Sequence, residues 1–148
     1  MSRSHRFALK KVLELRHQES LKALQAYSRE EQKLAEIHQD IHASQLRVQE
    51  AYQSFHQESS ASNAYDYGIH FPLYIQGQRN HEAHLHQQAN QQKQICEASQ
   101  ATYIQAKIRE KSLEKLKEKQ ALAFQAKEAH REALEMDEMG LRQFRQSR

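Results

Sequence analysis

The chain has 10 His residues, and histidine is the residue type in this sequence that could most readily bind a metal ion. His38 and His42 are four positions apart and would share one face of a helix, and a second group comprises His81, His84 and His86. Imidazole is a common zinc ligand, so two helices packed side by side could bring both groups to one metal ion. However, no His-Glu-x-x-His motif and no Cys pair completes a ligand set. We predict no metal ion and no cofactor, and keep a metal-dependent regulator as an alternative.

The run REKSLEKLKEK, residues 109–119, brings Glu and Lys side chains three and four positions apart. On the surface of a helix such side chains form ion pairs that are exposed to water. Acid–base or nucleophilic catalysis needs a concave site that excludes water and shifts pKa values, and nothing in this pattern supplies one. We predict no catalytic residue, and the chain is not expected to be an enzyme.

Composition favours a helical chain with little apolar surface to bury. Of the 148 residues, 38% are apolar, the mean hydropathy is -1.00, and there are three Gly, one Pro and two Val. The 21 Gln residues and the abundant Ala, Glu, Lys and Arg residues lose little side-chain freedom in a helix. The predicted fold class is therefore all-α.

The sequence contains no recognisable secretion signal or bilayer-spanning segment. The basic N-terminal stretch lacks an apolar run and a small-residue cleavage site, and no segment approaches the roughly 20 apolar residues that cross a bilayer. Cys96 has no second Cys with which to form an internal disulfide. We expect a cytoplasmic location without direct membrane insertion.

Residues 1–67 contain neither Gly nor Pro, so the sequence predicts one long helix over about residues 7–58. Residues that alternate at intervals of three and four form a coiled-coil seam along it. They are Leu34, Ile37, Ile41, Ser44, Val48, Ala51 and Phe55. Leu9, Leu13, Leu24 and Tyr27 continue the stripe less regularly toward the N-terminus.

The segment of about residues 59–71 is rich in turn-forming residue types, which predicts a loop at the tip of the hairpin. Pro72 suits the first turn of a helix, which gives a second helix over about residues 72–143. Its predicted seam is Leu85, Gln88, Gln92, Ile95, Ser99, Thr102, Ala106, Arg109, Leu113, Leu116, Gln120, Ala123 and Lys127. Residues 1–148 are thus predicted to be a single domain, a long two-helix antiparallel coiled-coil hairpin in which Phe7 lies near Ala123 and the last turns of the second helix are unpaired.

Charge varies along the chain. Residues 1–29 carry a net charge of +5, residues 30–70 of -5 and residues 105–148 of +3, while the segment between is neutral. Antiparallel pairing brings the two basic segments to one end, which would attract an acidic partner. Acidic side chains among the basic ones dilute any phosphate-binding footprint, so no nucleic acid partner is predicted.

The tip region is rich in aromatic side chains. Six of the 11 Tyr and Phe residues fall within it, namely Tyr52, Phe55, Tyr65, Tyr67, Phe71 and Tyr74. They either form a small core that closes the hairpin or present a surface to a partner, and the sequence leaves both possibilities open.

Several segments resemble the flagellar export protein FliJ family, and the resemblance covers the whole chain. They are Phe7-Ala-Leu9-Lys-Lys-Val12-Leu13-Glu-Leu15-Arg16, Tyr74-Ile75-Gln76, the EKSLEKLKEK run, and Glu135-Met-Asp137-Glu138 ahead of a basic tail. The resemblance implies a hairpin similar to the central stalk of rotary ATPases. The stalk proteins of virulence type III secretion systems share that architecture and are one alternative. A self-associating structural or scaffolding coiled coil is another.

The resemblance also implies partners: the export ATPase FliI hexamer, whose assembly and ATP hydrolysis the stalk promotes, the cytoplasmic domain of the export gate protein FlhA, and export chaperones. It implies a position at the cytoplasmic face of the inner membrane, held through the export apparatus. The matching segments nominate these ATPase contacts: Phe7, Lys10, Lys11, Leu13, Arg16, Asp137, Glu138, Arg142 and Arg145. The residues nominated for the gate are Ile41, Val48, Tyr52, Tyr74 and Ile75.

Overall fold

The computed structural model of the chain describes residues 5–58 and 64–148. These residues form two α-helices, α1 (Lys10–Glu58, 49 residues) and α2 (Ala64–Gln146, 83 residues), and the two described ranges contain no strand. The helices pack against each other in antiparallel fashion. The predicted all-α helical hairpin is therefore confirmed.

Packing divides the chain into two compact units. Unit 1 comprises Met1–Leu21 and Ile104–Arg148, and unit 2 comprises Lys22–Tyr103. Each unit contains part of both helices, so each has its own stretch of seam. The prediction of a single domain over residues 1–148 stays a prediction.

The predicted seam of α1 is confirmed from Leu34 to Phe55. Ile41 and Ser44 are buried, and the other five seam positions are half-buried. A buried apolar cluster forms where Ile41 meets Leu85 and Ala89 of α2. Full burial of an Ile or Leu side chain contributes roughly 1.5–3 kcal/mol, so this cluster is the main apolar anchor of unit 2.

Nearer its N-terminus, α1 has a seam of small and polar residues. Leu13 and Tyr27 are half-buried, whereas Leu9 and Leu24 are exposed, so the predicted stripe is wrong at those two positions. Leu24 lies outside the heptad phase, and Leu9, seven residues before Arg16, precedes the start of α1 at Lys10. The alternation of three and four instead runs through Leu13, Arg16, Ser20, Ala23, Tyr27 and Glu30.

From Leu85 to Leu113 the predicted seam of α2 is right at every second position and wrong by one residue at the positions between, and from Leu116 onward every predicted position is exposed. The correct positions, buried or half-buried, are Leu85, Gln92, Ser99, Ala106 and Leu113. Gln88, Ile95, Thr102, Arg109, Leu116, Gln120, Ala123 and Lys127 are exposed. The covered side chains between the correct positions are Ala89, Cys96, Tyr103 and Glu110. The prediction placed the intermediate position three residues after each correct one, whereas the structure has it four residues after. Both spacings repeat every seven residues, so only the packing against α1 distinguishes them.

Helix α2 begins earlier than predicted, because residues 64–71 are helical and Pro72 lies inside the helix. Residues 59–63 of the predicted tip loop lie outside the described residues. A Pro within a helix removes one backbone hydrogen bond and costs about 3 kcal/mol. Ring packing offsets this cost: the centroid of the Phe71 ring lies 4.3 Å from that of Phe55 and 5.1 Å from that of Tyr52. Contacts between the helices thus override the local preference for a turn.

The chain ends also differ slightly from the prediction. Helix α1 begins at Lys10, whose N–H donates to the Phe7 carbonyl at 3.3 Å, and α2 ends at Gln146. Phe7 is 6% exposed, and the neighbouring His5 ring lies 5.3 Å from the Phe124 ring. The segment before α1 therefore packs within unit 1.

Candidate functional site

All nine residues nominated for the ATPase lie in unit 1. Lys10 and Lys11 are exposed at the start of α1. Leu13 is half-buried, and Arg16, also half-buried, pairs with Glu19 through an Nη1–Oε2 distance of 2.8 Å. Phe7 is buried. The two lysines are therefore the N-terminal candidates whose charge is fully presented to a partner.

The C-terminal part of α2 is a helix without a covering partner among the described residues. Every residue from 129 to 148 is exposed, including the nominated Asp137, Glu138, Arg142 and Arg145. This agrees with the predicted unpaired last turns. This segment carries five large apolar side chains. Exposed apolar side chains on a helix that is not covered by the rest of the described chain commonly mark a surface that binds a partner. The five side chains are Leu134, Met136, Met139, Leu141 and Phe144, each more than half exposed.

These apolar side chains were not among the sequence candidates. Leu134, Leu141 and Phe144 follow one another at intervals of seven and three, which puts them on one face of the helix. The guanidinium carbon of Arg148 lies 5.2 Å from the centroid of the Phe144 ring, so a basic group adjoins this face. The spacing of these three residues is visible in the sequence, and it would have revealed the apolar face in the part of α2 that extends past the start of α1.

The two units differ in charge. Unit 1 contains 16 Lys/Arg and 10 Asp/Glu, a net charge of +6, whereas unit 2 contains 6 and 9, a net charge of -3. Charged surfaces raise the local concentration of partners with the opposite sign. The nominated ATPase contacts therefore lie in a basic unit and the nominated gate contacts in an acidic one.

The five residues nominated for the gate all lie in unit 2, but they are not equally accessible. Ile41 and Ile75 are buried between the helices, and Val48 is half-buried. Tyr52 is 37% exposed and Tyr74 is 45% exposed. The two tyrosines are the candidates whose side chains reach the surface.

The described tip aromatics divide into a packed pair and exposed rings. Phe55 and Phe71 are half-buried and stack, forming a small core, while Tyr74 lines a shallow groove beside them. The side chains of Tyr65 and Tyr67 lie outside the described residues. Ala51, Ser54 and His70 complete the lining of the groove.

Replacing Phe71 with Leu is expected to lower the free energy of unfolding by about 1 kcal/mol, because it keeps most of the volume but loses both ring contacts. Urea unfolding followed by circular dichroism measures the change. Leu73→Ala is the matched control, since Leu73 is 68% exposed and its loss should cost less than about 0.5 kcal/mol. Equal effects of the two substitutions would contradict the role given to the Phe71 ring.

Glu110 is a fully buried carboxylate in the seam of unit 1, with 2% exposure. Ser20 donates from Oγ to Glu110 Oε2 at 2.6 Å, and Lys107 Nζ lies 3.1 Å from the same oxygen. His17 Nδ1 is 2.6 Å from Oε1, and it donates because an ionised carboxylate only accepts. We call Glu110, Ser20, His17 and Lys107 the Glu110 cluster.

The hydrogen bonds in the Glu110 cluster keep the carboxylate ionised. Those from Ser20 and His17 lower the pKa of Glu110 from 4.5 to about 2, with Lys107 assisting and burial opposing the shift. The sequence placed Glu110 in a run of surface ion pairs, which is wrong for this residue. Its seam position was missed because a charged side chain is rarely fully buried unless it is paired.

Unit 2 also has polar contacts between its helices. Gln92 Nε2 donates to the Glu30 backbone carbonyl at 3.0 Å and to its Oε2 at 2.6 Å, and Gln45 Nε2 donates to Glu82 Oε1 at 2.9 Å. These bonds lower the pKa of Glu30 and of Glu82. Every buried side-chain nitrogen or oxygen in the described ranges has a hydrogen-bond partner.

The proposed His groups do not meet across the helices. Ser44, two residues after His42, donates from Oγ to Gln78 at 3.4 Å, and His86 Nε2 lies 3.4 Å from Glu82 on its own helix. In the part of the chain that the structure describes, no group of three His, Cys, Asp or Glu side chains is placed to hold a metal ion. Over their described residues, α1 and α2 contain no apolar stretch of the length that a membrane span requires.

Comparison with protein families decides which group of proteins the chain belongs to. The family model described as flagellar FliJ protein matches residues 5–148. The chain belongs to the FliJ family. FliJ-family proteins are non-enzymatic, stalk-type components related to flagellar type III protein export, so the predicted family is confirmed. No curated protein and no solved structure matches this FliJ-family chain.

Proposed function

We propose that this chain is a stalk that binds the hexameric ring of the export ATPase FliI through unit 1 and the cytoplasmic domain of the export gate protein FlhA through the tip of unit 2. In this role it promotes assembly of the ring and ATP hydrolysis, and it holds a peripheral position at the inner membrane through its partners. Escort of empty export chaperones belongs to the same proposal. The observation that carries it is the separation of the two sets of nominated residues into units of opposite net charge.

Unit 1 suits the lumen of a protein ring for two reasons. Lys10 and Lys11 present their charges at the start of α1, within a unit of net charge +6. The helix from residue 129 onward is thin, exposed all round and apolar on the face of Leu134, Leu141 and Phe144. Basic groups would guide the approach to an acidic ring, and burial of the apolar face would then stabilise the complex.

The tip of unit 2 suits a smaller contact with the gate. Tyr52 and Tyr74 are exposed beside the stacked Phe55 and Phe71 rings, whose packing fixes the place of the groove. Tyr side chains supply large contact areas at low entropic cost and are frequent in the energetic centres of interfaces. Binding here leaves unit 1 available for the ATPase.

The experiment measures ATP hydrolysis by the purified export ATPase as the full chain is added. Replacing Leu141 and Phe144 with Ser is expected to raise the concentration needed for half-maximal stimulation by about tenfold or more, since two exposed anchors are lost. Helicity should not change, because these side chains are 58% and 59% exposed in the free chain.

The control carries Ile69→Ser and Leu73→Ser, which remove equally exposed apolar side chains from unit 2. This variant should stimulate the ATPase as well as the native chain does. The same loss in both variants would show that general apolar character, not the C-terminal helix, causes stimulation. No stimulation by the native chain would remove the proposed function.

Self-association is the second candidate, favoured by apolar residues on the outside of the paired part of unit 1. Leu15 is 52% exposed, Ile104 48% and Ile108 58%. A four-helix bundle of two hairpins would cover such side chains. Sedimentation equilibrium separates the candidates, because a scaffold is a dimer or larger at micromolar concentration, whereas a stalk that enters a ring is a monomer.

A further inference from the structure

The last turns of α2 are held together chiefly by contacts within their own helix. Every residue from 129 to 148 is exposed. Arg131 Nη2 lies 2.8 Å from Glu128 Oε2, and Arg131 Nε lies 3.4 Å from Glu135 Oε1. Pairs three or four residues apart stabilise a helix only slightly, and most helix stability in proteins comes from a buried apolar face. The stability of these turns therefore depends on the helix preferences of their own residues.

Gly140 lies near the middle of this uncovered segment. Glycine loses more backbone freedom on entering a helix than alanine does, which disfavours the helical state about four- to fivefold at that position. A helix without tertiary contacts unfolds from its free end, so the residues after Gly140 join the helix only against this penalty. Leu141 and Phe144, two of the apolar side chains proposed to bind the ATPase, belong to that less stable part.

Among the described residues, no contact requires a glycine at position 140. Its φ is not positive, and a Cβ atom built on it meets nothing within 4 Å beyond its own stretch of helix backbone. Alanine would therefore fit there without strain. Gly77 is equally open, but it lies two residues from Ile75, which is 5% exposed and packed between the helices. Of these two glycines, Gly140 is the one whose helix is not held by packing against α1.

We propose that Gly140 keeps the last turns of α2 in exchange between helical and unfolded conformations, and that burial of Leu141 and Phe144 on the export ATPase shifts these turns to the helix. The shift on binding rests on the function proposed for unit 1. Only the helical conformation puts Leu134, Leu141 and Phe144 on one face, so the apparent affinity falls with the fraction of chains that are helical there. The glycine thus makes the contact weaker and more readily reversible than a rigid helix would.

Hydrogen exchange of backbone amides, measured by NMR on the full chain without a partner, tests the state of the last turns. Amides of residues 141–146 should exchange within about tenfold of the rate in an unstructured peptide, and those of Leu85 and Ala89 at least about a hundredfold more slowly than that. Gly140→Ala should slow exchange at residues 141–146 by about two- to fivefold. Equal protection of the last turns and of the paired helices would overturn the proposal.

The shift on binding is tested by ATP hydrolysis by the purified export ATPase, with full-length variants of this chain. Gly140→Ala should lower the concentration needed for half-maximal stimulation by about two- to fivefold. Gln143→Gly should raise that concentration by a similar factor relative to Gln143→Ala, because the two variants lack the same amide and differ only in helix preference. Gly77→Ala is the control and should leave the concentration unchanged, since that part of α2 is already held by α1.

The two measurements separate failure of this inference from failure of the proposed function. If the native chain stimulates the ATPase and Gly140→Ala needs the same or a higher concentration, the inference is overturned and the proposed function stands. If the native chain does not stimulate, the proposed function is removed together with the shift on binding. Exchange at residues 141–146 in the free chain then still decides whether Gly140 destabilises the last turns of α2.

Discussion

Replacement of Lys10 and Lys11 by Glu is expected to abolish most of the stimulation of the export ATPase at the concentration that is half-maximal for the native chain. Both side chains are exposed, so the substitutions leave the packing of α1 intact while changing the net charge of unit 1 from +6 to about +2. Exposed charges at the edge of an interface, such as those of Lys10 and Lys11, act chiefly on the rate of association. We therefore expect the apparent affinity for the ATPase to fall by at least about tenfold at low salt. Hydrolysis assays at several salt concentrations measure this loss.

Arg16 is left unchanged in this variant, although it is a nominated ATPase contact. It is half-buried and paired with Glu19, so its reversal would disturb α1 and confuse binding with folding. The matched control reverses Arg79 and Lys93, two exposed basic residues of unit 2, and should retain full stimulation. Stimulation that survives the reversal of Lys10 and Lys11, or that does not weaken with salt, would contradict docking by charge.

Replacement of Glu110 alone by Ala is expected to lower the free energy of unfolding by about 2–3 kcal/mol at neutral pH. Hydrogen bonds to a charged group contribute about 1.5–3 kcal/mol, and here three donors lose their shared acceptor. Glu114→Ala, four residues away and exposed, should change stability by less than about 0.5 kcal/mol.

The Glu110 contribution should disappear in acid. Its folded-state pKa of about 2 lies below the ordinary 4.5, so the ionised carboxylate stabilises the folded chain above about pH 4.5, and this stabilisation is lost as the pH falls toward 2. The full shift corresponds to about 3 kcal/mol, and solvent screening around a slender helix pair reduces it to about 1–2 kcal/mol.

Urea unfolding between pH 2 and pH 7 measures this dependence. Over the interval from pH 5 to pH 2, the native chain should lose about 1–2 kcal/mol more than the Glu110→Ala variant does. Parallel curves for the two proteins would show that Glu110 titrates normally in the folded chain, and the account of the Glu110 cluster would then be wrong.

The seam is predictable from the sequence where apolar residues mark it. From Leu34 to Phe55 the seam of α1 includes Ile and Val side chains at regular spacing, and every predicted position is covered. In α2 the apolar residue Ile95 was predicted to lie in the seam, but it is exposed and the neighbouring Cys96 is buried. The phase of a polar seam depends on the residues opposite, and a single helix does not contain that information.

The two remaining differences have the same origin. Pro72 and its neighbours favour a turn locally, but the contacts of the Phe71 ring with α1 extend α2 to residue 64. Glu110 belongs to a Glu- and Lys-rich run typical of surface ion pairs, but its heptad position places it in the seam, where it contacts Ser20. Both outcomes depend on residues distant in sequence. The exposed C-terminal helix was predicted from chain lengths alone, although its apolar face was not.

Photo-crosslinking in cells that assemble the export apparatus tests the central claim most directly. A photoreactive amino acid is placed at Lys11, Phe144 or Tyr74, three exposed positions, the first two in unit 1 and the third in unit 2. The account predicts that Lys11 and Phe144 crosslink to the export ATPase and that Tyr74 crosslinks to the cytoplasmic domain of the gate. Crosslinks from Tyr74 to the ATPase, with none from Lys11 or Phe144, would contradict it.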